Sequence, residues 1–168
     1  HGIPLTDFAA DPRIDLTIDG ADQVVPGRLD LIKGLGGALL REKLVATASD
    51  RMIVVADDRK LVARLGGATR LPVEITAFGW QVAMAQLAAS GCAPVLRMAG
   101  ALPFVTDGGN HIADCAIADI PDPAALHARL CAMVGVVETG LFFGLASEAR
   151  IGGPGGVRRL TRRAGISP

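Results

Sequence analysis

Residues 17 to 23, Thr-Ile-Asp-Gly-Ala-Asp-Gln, set Asp19 and Asp22 three positions apart around a Gly-Ala pair, directly behind an apolar run. Two carboxylates so placed either satisfy backbone N–H groups in a turn, a frequent use of Asp, or face a polar ligand. Ten residues on, Lys33 opens the stretch Lys-Gly-Leu-Gly-Gly, in which Gly34, Gly36 and Gly37 are interrupted by Leu35. Glycines allow close backbone approach, and the N-terminus of a following helix presents unpaired N–H groups to an anion or a developing oxyanion. Lys60, just past a second apolar run, adds another cation directed at the same crevice. Glu42, between Arg41 and Lys43, falls nearly opposite the apolar side of its helical wheel, and by pattern alone it reads as a solvated charge.

These residues need a framework that brings loops together. Residues 13 to 18, Arg-Ile-Asp-Leu-Thr-Ile, read as a strand broken at Gly20, which puts Asp19 at its carboxyl end. Leu39, Leu40, Leu44, Val45 and Ala48 recur with helical spacing after the glycines, and Met52 to Ala56 form a continuous apolar run of the kind buried on both faces of a parallel sheet. Strand, helix and strand make a βαβ unit, and in open α/β sheets ligands sit outside the carboxyl ends of the strands. After Gly66-Gly67 the pattern changes to strand, helix, strand, strand, helix, strand, the ferredoxin-like order, with Asp122-Pro123 as the N-cap and first position of the second helix. Trp80 reads as a packing residue of this segment, and residues 149 to 160, centred on Gly-Pro-Gly-Gly, read as a closing hairpin. The expected class is α/β: a Rossmann-like parallel sheet with an inserted α+β segment.

Composition narrows the partners. The 168 residues carry 17 basic and 17 acidic side chains, so no global field attracts nucleic acid or a membrane surface, and a small molecule is the expected partner. Arg158, Arg159, Arg162 and Arg163 near the end read as a solvated terminus. Cys92, Cys115 and Cys131 are widely spaced, as are His1, His111 and His127, so neither a disulfide framework nor a metal site is expected. There is no run of 18 apolar residues and no basic-then-apolar leader, which makes the cytoplasm the default location.

Taken in order, the segments DLTIDGADQ, LIKGLGGALLREKLV, ADDRKLV, LPVEI, FVTDGGNHIAD and GVVETGLFFG closely resemble the type A family of ribose-5-phosphate isomerases, across nearly all of the chain. The resemblance implies a Rossmann-like catalytic domain from residues 1–66 and 138–168 and a ferredoxin-like lid at 67–137. It implies an aldose–ketose isomerase of the non-oxidative pentose phosphate pathway that interconverts ribose 5-phosphate and ribulose 5-phosphate through an enediolate, without a cofactor or metal, as a homodimer. By matching motif, Glu42 corresponds to the general base and Asp19 and Asp22 to residues that bind the sugar oxygens and assist ring opening. Lys33 and the backbone of Gly34, Leu35 and Gly36 correspond to the segment that holds the substrate and stabilises the enediolate. Gly20 and Ala21 belong to the same binding motif, and Lys60 corresponds to a further substrate-binding lysine. The alternative is a sugar-phosphate-binding or sensor module without turnover, which would need no base.

Three departures from the family pattern carry expectations of their own. Leu35 stands in a run that is usually all glycine, and at a position requiring φ > 0 it would cost about 1–2 kcal/mol. Gln23 stands where the family usually has Glu. Family members also carry, ahead of this segment, a Gly-Thr-Gly-Ser-Thr loop for the substrate phosphate. No such motif occurs in the 168 residues, so the expectation is an N-terminally incomplete copy whose isolated activity is near background.

Overall fold

Residues 2–162 are described by the structure, a computed structural model; Arg163 of the arginine-rich end lies outside them, as does His1. The first apolar run is a strand only over its last residues, β1 (Thr17–Asp19). Its ladder partner starts at Met52, opposite Thr17, and among the described residues those before Thr17 pair only through an isolated bridge from Ile14 to Ser49. Two short strands follow, β2 (Gln23–Val24) and β3 (Leu31–Ile32), then helix α1 (Leu39–Thr47) and strand β4 (Met52–Asp57), which closes with a 3-10 turn at Asp58–Lys60. β1 and β4 are parallel, and α1 connects them.

The next elements are β5 (Leu71–Ile75), α2 (Trp80–Ala89), β6 (Pro94–Leu96), the small hairpin β7 (Met98–Ala99) and β8 (Leu102–Pro103), β9 (His111–Cys115), α3 (Pro123–Cys131) and β10 (Val136–Thr139). Their sheet runs β10-β5-β9-β6, antiparallel throughout, which is the ferredoxin-like arrangement. Asp122 caps α3 through its side chain, accepting from the Ala125 N–H, with Pro123 at the helix start. The chain then returns through β11 (Leu141–Phe142), β12 (Ala146–Gly153) and β13 (Gly156–Thr161). β12 lies parallel to β4 and turns at Pro154-Gly155 into β13, giving the sheet β1-β4-β12-β13. The class is thus α/β with a parallel sheet, as expected.

The Met52–Ala56 run is not buried on both faces. Met52 and Val54 point into the core, whereas Val55 on the opposite face is 51% exposed, beside Ile18 at 65%. One face of the run packs with α1 in the core, and the other is apolar and uncovered among the described residues. Leu44 of α1 is also exposed, so the helix buries a narrower stripe than its apolar residues suggest, centred on Leu39 and Ala46.

β11, β3 and β2 form a third, three-stranded sheet that joins the two larger ones. Side chains alternate across a strand, so Leu31 and Phe142 enter the core beneath the parallel sheet while Ile32 and Leu141 enter the core of the antiparallel sheet. Gln23 anchors this junction. Its Nε2 donates to the Gly66 carbonyl and its Oε1 accepts from the Gly66 N–H, both at 2.8 Å, with the side chain 4% exposed. An amide satisfies both backbone groups at once. Gly66 itself needs φ of +99°, and a Cβ there would stand 2.6 Å from the Ile117 carbonyl. Gln23→Met should keep the volume yet strand both backbone groups of Gly66, lowering unfolding free energy by about 1–3 kcal/mol; urea denaturation measures this, and an unchanged midpoint would exclude it.

Candidate active site

Lys33 follows β3 directly, and its backbone N–H donates to Gly140 O at 2.9 Å. Its side chain is 2% exposed, and its Nζ lies 2.9 Å from Asp19 Oδ2, 2.6 Å from Gly20 O and 3.3 Å from Glu42 Oε1. The Gly20 contact is a hydrogen bond and the two carboxylate contacts are ion pairs. It also stands 5.5 Å from the centroid of Phe142. Lys33 is the hub of the cluster, drawing the end of β1 and the first turn of α1 onto one charge.

The DGAD turn supplies the rest. Asp19 at the end of β1 also accepts from the Gly20 N–H through Oδ1, at 2.7 Å. Ala21 packs on the core, and Asp22 Oδ2 accepts from the Leu35 N–H at 3.0 Å, so one carboxylate holds its own turn and the other holds the glycine loop. In that loop the positive φ values fall on Gly34 (104°) and Gly37 (91°). Leu35 has no positive φ, so the expected strain is absent, and its side chain points to solvent at 46% exposure. Gly36 is exposed beside it. Lys60 lies in the 3-10 turn after β4, partly buried, and is not among the ion pairs of this cluster.

Glu42 is not a solvated charge. It projects from the first turn of α1 into the cluster, with Oε1 on Lys33 and with Oε2 buried and free of any hydrogen-bond partner. Burial pushes its pKa above the ordinary carboxylate value; the Lys33 charge opposes this and the nearby Asp19 and Asp22 charges add to it. The helical wheel misplaced it because α1 packs between two bodies rather than on one core. Arg41 pairs with Asp107 at 3.1 Å, and Lys43 donates to Glu138 Oε1 and Thr139 O at 2.7 Å each. All three charges of Arg-Glu-Lys are engaged, two of them with the antiparallel sheet and its loops.

Lys43 leads to a group that the sequence spacing did not flag. His127 and Cys131 sit one turn apart on α3, and ligand atoms of His127, Cys131 and Glu138 lie within 4.8 Å of one another. The carboxylate is already taken by Lys43, and the His127 Nδ1 meets Thr139 Oγ1 at 2.9 Å. Burial raises the Cys131 thiol pKa and lowers those of His127 and Lys43. The group acts as a hydrogen-bonded tether between α1, α3 and β10.

A statistical description of the ribose 5-phosphate isomerase A (phosphoriboisomerase A) family matches residues 1–156. The chain belongs to this family. Ribose-5-phosphate isomerase A of Synechococcus sp. (strain JA-3-3Ab) is 49% identical over 160 residues, spanning 95% of this chain and 70% of the relative. The protein of the same name from Roseiflexus castenholzii is 53% identical over 161 residues, spanning 95% and 68%. Among solved structures, a D-ribose-5-phosphate isomerase in complex with phospho-erythronic acid superposes with a TM-score of 0.91 at 35% identity, covering 95% of this chain and 70% of that one. Ribose 5-phosphate isomerase A from Neisseria gonorrhoeae gives 0.89 at 33%, covering 96% and 70%.

Within this isomerase A framework, Gly140 sets the height of Lys33. It lies between β10 and β11, donates to Pro72 O at 2.7 Å and accepts from Lys33, and an added Cβ would collide with the Lys33 carbonyl. Gly140→Ala should therefore push the Lys33 backbone aside and reduce turnover by about 10-fold or more, since displacements near 1 Å cost that much and beyond. Steady-state kinetics would read it; retention of full turnover would show that the junction yields without moving Lys33.

Proposed function

We propose that this chain interconverts D-ribose 5-phosphate and D-ribulose 5-phosphate, with Glu42 as the general base and Lys33 and the glycine-loop amides as the electrostatic support. The observation that carries this reading is the buried, unpartnered Glu42 Oε2 beside the buried, ion-paired Lys33 ammonium, at the carboxyl end of β1. A pure binder gains nothing from a carboxylate whose proton affinity is raised by burial, whereas proton abstraction beside a carbonyl requires one.

On the open-chain aldose, the Glu42 carboxylate takes the C2 proton. The C–H electron pair becomes the C1–C2 double bond, and the carbonyl electrons pass to O1. The charge growing on that oxygen is met by the potential of Lys33 and by loop N–H donors. The O2 hydroxyl proton then passes to O1, the electrons left on O2 form the C2 carbonyl, and the C1–C2 double-bond pair takes the proton back from Glu42 at C1. Asp19 and Asp22, with Gly20 and Ala21 between them, are placed to meet sugar hydroxyls, and Lys60 is a second cation for the anionic substrate. Residues 67–137 act as a lid whose loops reach α1, a role supported by the Arg41–Asp107 pair and the neighbouring Lys43–Glu138 tether.

The resemblance to the family supports the cytoplasm and a homodimer as the working state; separately, no helix among the described residues is long and apolar enough to cross a membrane. The test is isomerisation in D2O. Ribulose 5-phosphate should form from ribose 5-phosphate with solvent deuterium at C1, because a carboxylate that holds the proton exchanges it. Conversion with no deuterium at C1 would favour direct hydride transfer, and no conversion even with a family-type N-terminal segment co-expressed would sink the isomerase reading.

A further inference from the structure

The loop that follows Lys33 is held from the other body of the molecule. Arg97, between β6 and β7, donates through Nη1 to Gly34 O at 3.1 Å and to Leu35 O at 2.9 Å. Its Nε and Nη2 are held by Asp114 of β9, at 2.9 and 2.5 Å, in a two-pronged pair with both side chains largely buried. The Arg97 backbone is locked as well, donating to Ile112 O and accepting from the Phe104 N–H. Phe104 completes the clamp: its ring lies 5.7 Å beneath the guanidinium and fills the space where a Cβ on Gly37 would stand.

Such an arrangement constrains more than position. No peptide bond in the described residues is cis, and in a trans peptide the C=O of one residue and the N–H of the next point in opposite directions. Pulling Gly34 C=O toward Arg97 turns the Leu35 N–H away from it, where that N–H meets Asp22 Oδ2. Pulling Leu35 C=O the same way turns the Gly36 N–H away in the same sense, and among the described residues this N–H has no hydrogen-bond partner. Gly36 is exposed. A free donor is thus held beside Asp22, on the side away from Arg97.

We propose that Arg97, oriented by Asp114, is a positioning residue for the isomerisation: by fixing two successive peptide planes it presents the Gly36 N–H to the enediolate oxygen of the bound sugar phosphate. The inference rests on the isomerase reading above. Arg97 touches no reacting atom. A guanidinium suits this task because its rigid fork spans a carboxylate and two carbonyls together, which the single ammonium of Lys does not.

The test uses Arg97→Met and Arg97→Lys in the full chain with a family-type N-terminal segment co-expressed, with ribose 5-phosphate as substrate and phospho-erythronic acid, whose carboxylate presents two oxygens on one carbon, as the probe. With the donor misaligned, kcat of the Met variant should fall about 10–100-fold while KM stays within about threefold, because the hydrogen bond forms on the developing charge. Guanidinium ion at about 50 mM should restore part of that loss, by supplying the missing donors to the same carbonyls. Arg97→Lys, which keeps the charge beside Asp114, should fold even where the Met variant does not, and should lose about 3–10-fold in kcat. The Gly36 amide resonance should shift on adding phospho-erythronic acid to the wild type and shift less in either variant. Wild-type kcat in both variants, a loss confined to KM, or an unrescued loss in a Met variant that melts like the wild type would each overturn the role. Absence of turnover in the wild type with that segment supplied would instead overturn the isomerase reading, and a Gly36 amide responding identically in all three proteins would overturn the role of Arg97 in either case.

Discussion

Replacing Glu42 by Gln should lower kcat by about 10²–10⁴-fold with KM little changed, because the amide keeps the shape of the side chain but accepts no proton. Glu42 has one oxygen on Lys33 and the other buried without a partner, so the substitution removes the one uncommitted basic atom of the cluster. The pH dependence follows from the direction of its pKa. Burial raises it, so the ionised form that takes the C2 proton is lost as pH falls through a value above the ordinary carboxylate range. The acid limb of kcat against pH should therefore lie higher than a solvated Glu would give. The same sign applies to stability: the folded-state pKa is raised, so the contribution of this group is greatest below its unfolded pKa and is lost as pH rises through the folded one. The Glu42→Gln variant, whose amide carries no charge to desolvate, should melt at or above the wild-type temperature near neutral pH. A Glu42→Gln protein with more than half the wild-type kcat would remove Glu42 as the base.

Lys33→Met should have the second large effect, on turnover and on the pH profile together. The ammonium touches Asp19, Gly20 O and Glu42 at once, and at 2% exposure water does not replace it. Its removal takes away both the positive potential at the enediolate and the interaction that opposes the rise in the Glu42 pKa. A kcat loss of about 10²–10³-fold is expected, in the range of removing a principal oxyanion donor. The acid limb should move further up, since the Lys33 charge and hydrogen bond both lower the Glu42 value while Asp19 and Asp22 raise it. Rate profiles of the two proteins, measured side by side, decide the matter. A variant whose KM alone rises, with the limb in place, would reduce Lys33 to a substrate anchor.

Much of the architecture was legible along the chain because its signals are local. Apolar runs and turn residues marked the strands and helices of the ferredoxin-like segment, and Asp122-Pro123 marked the start of α3 as found. The order of motifs along the chain points to the same family whose match spans residues 1–156. What escaped were elements of two residues, β2, β3 and β11, too short for periodicity to register, although together they join the two cores. The small β7–β8 hairpin escaped for the same reason.

By itself the sequence determined the class of the fold, the order of its longer elements and the residue types available for chemistry: Asp19, Asp22, Lys33 and Glu42 were all identifiable, by spacing or by motif. Only the tertiary structure decided how they are used. Helical periodicity measures burial against a single core, so it placed Glu42 in solvent, whereas α1 lies between two bodies and its nominally polar side faces Lys33. The absence of strain at Leu35 was likewise a matter of three dimensions, since the loop puts its positive φ values on Gly34 and Gly37. The hold of Arg97 on that loop joins residues more than 60 positions apart, and no local pattern reports a contact whose partners meet only when two sheets pack.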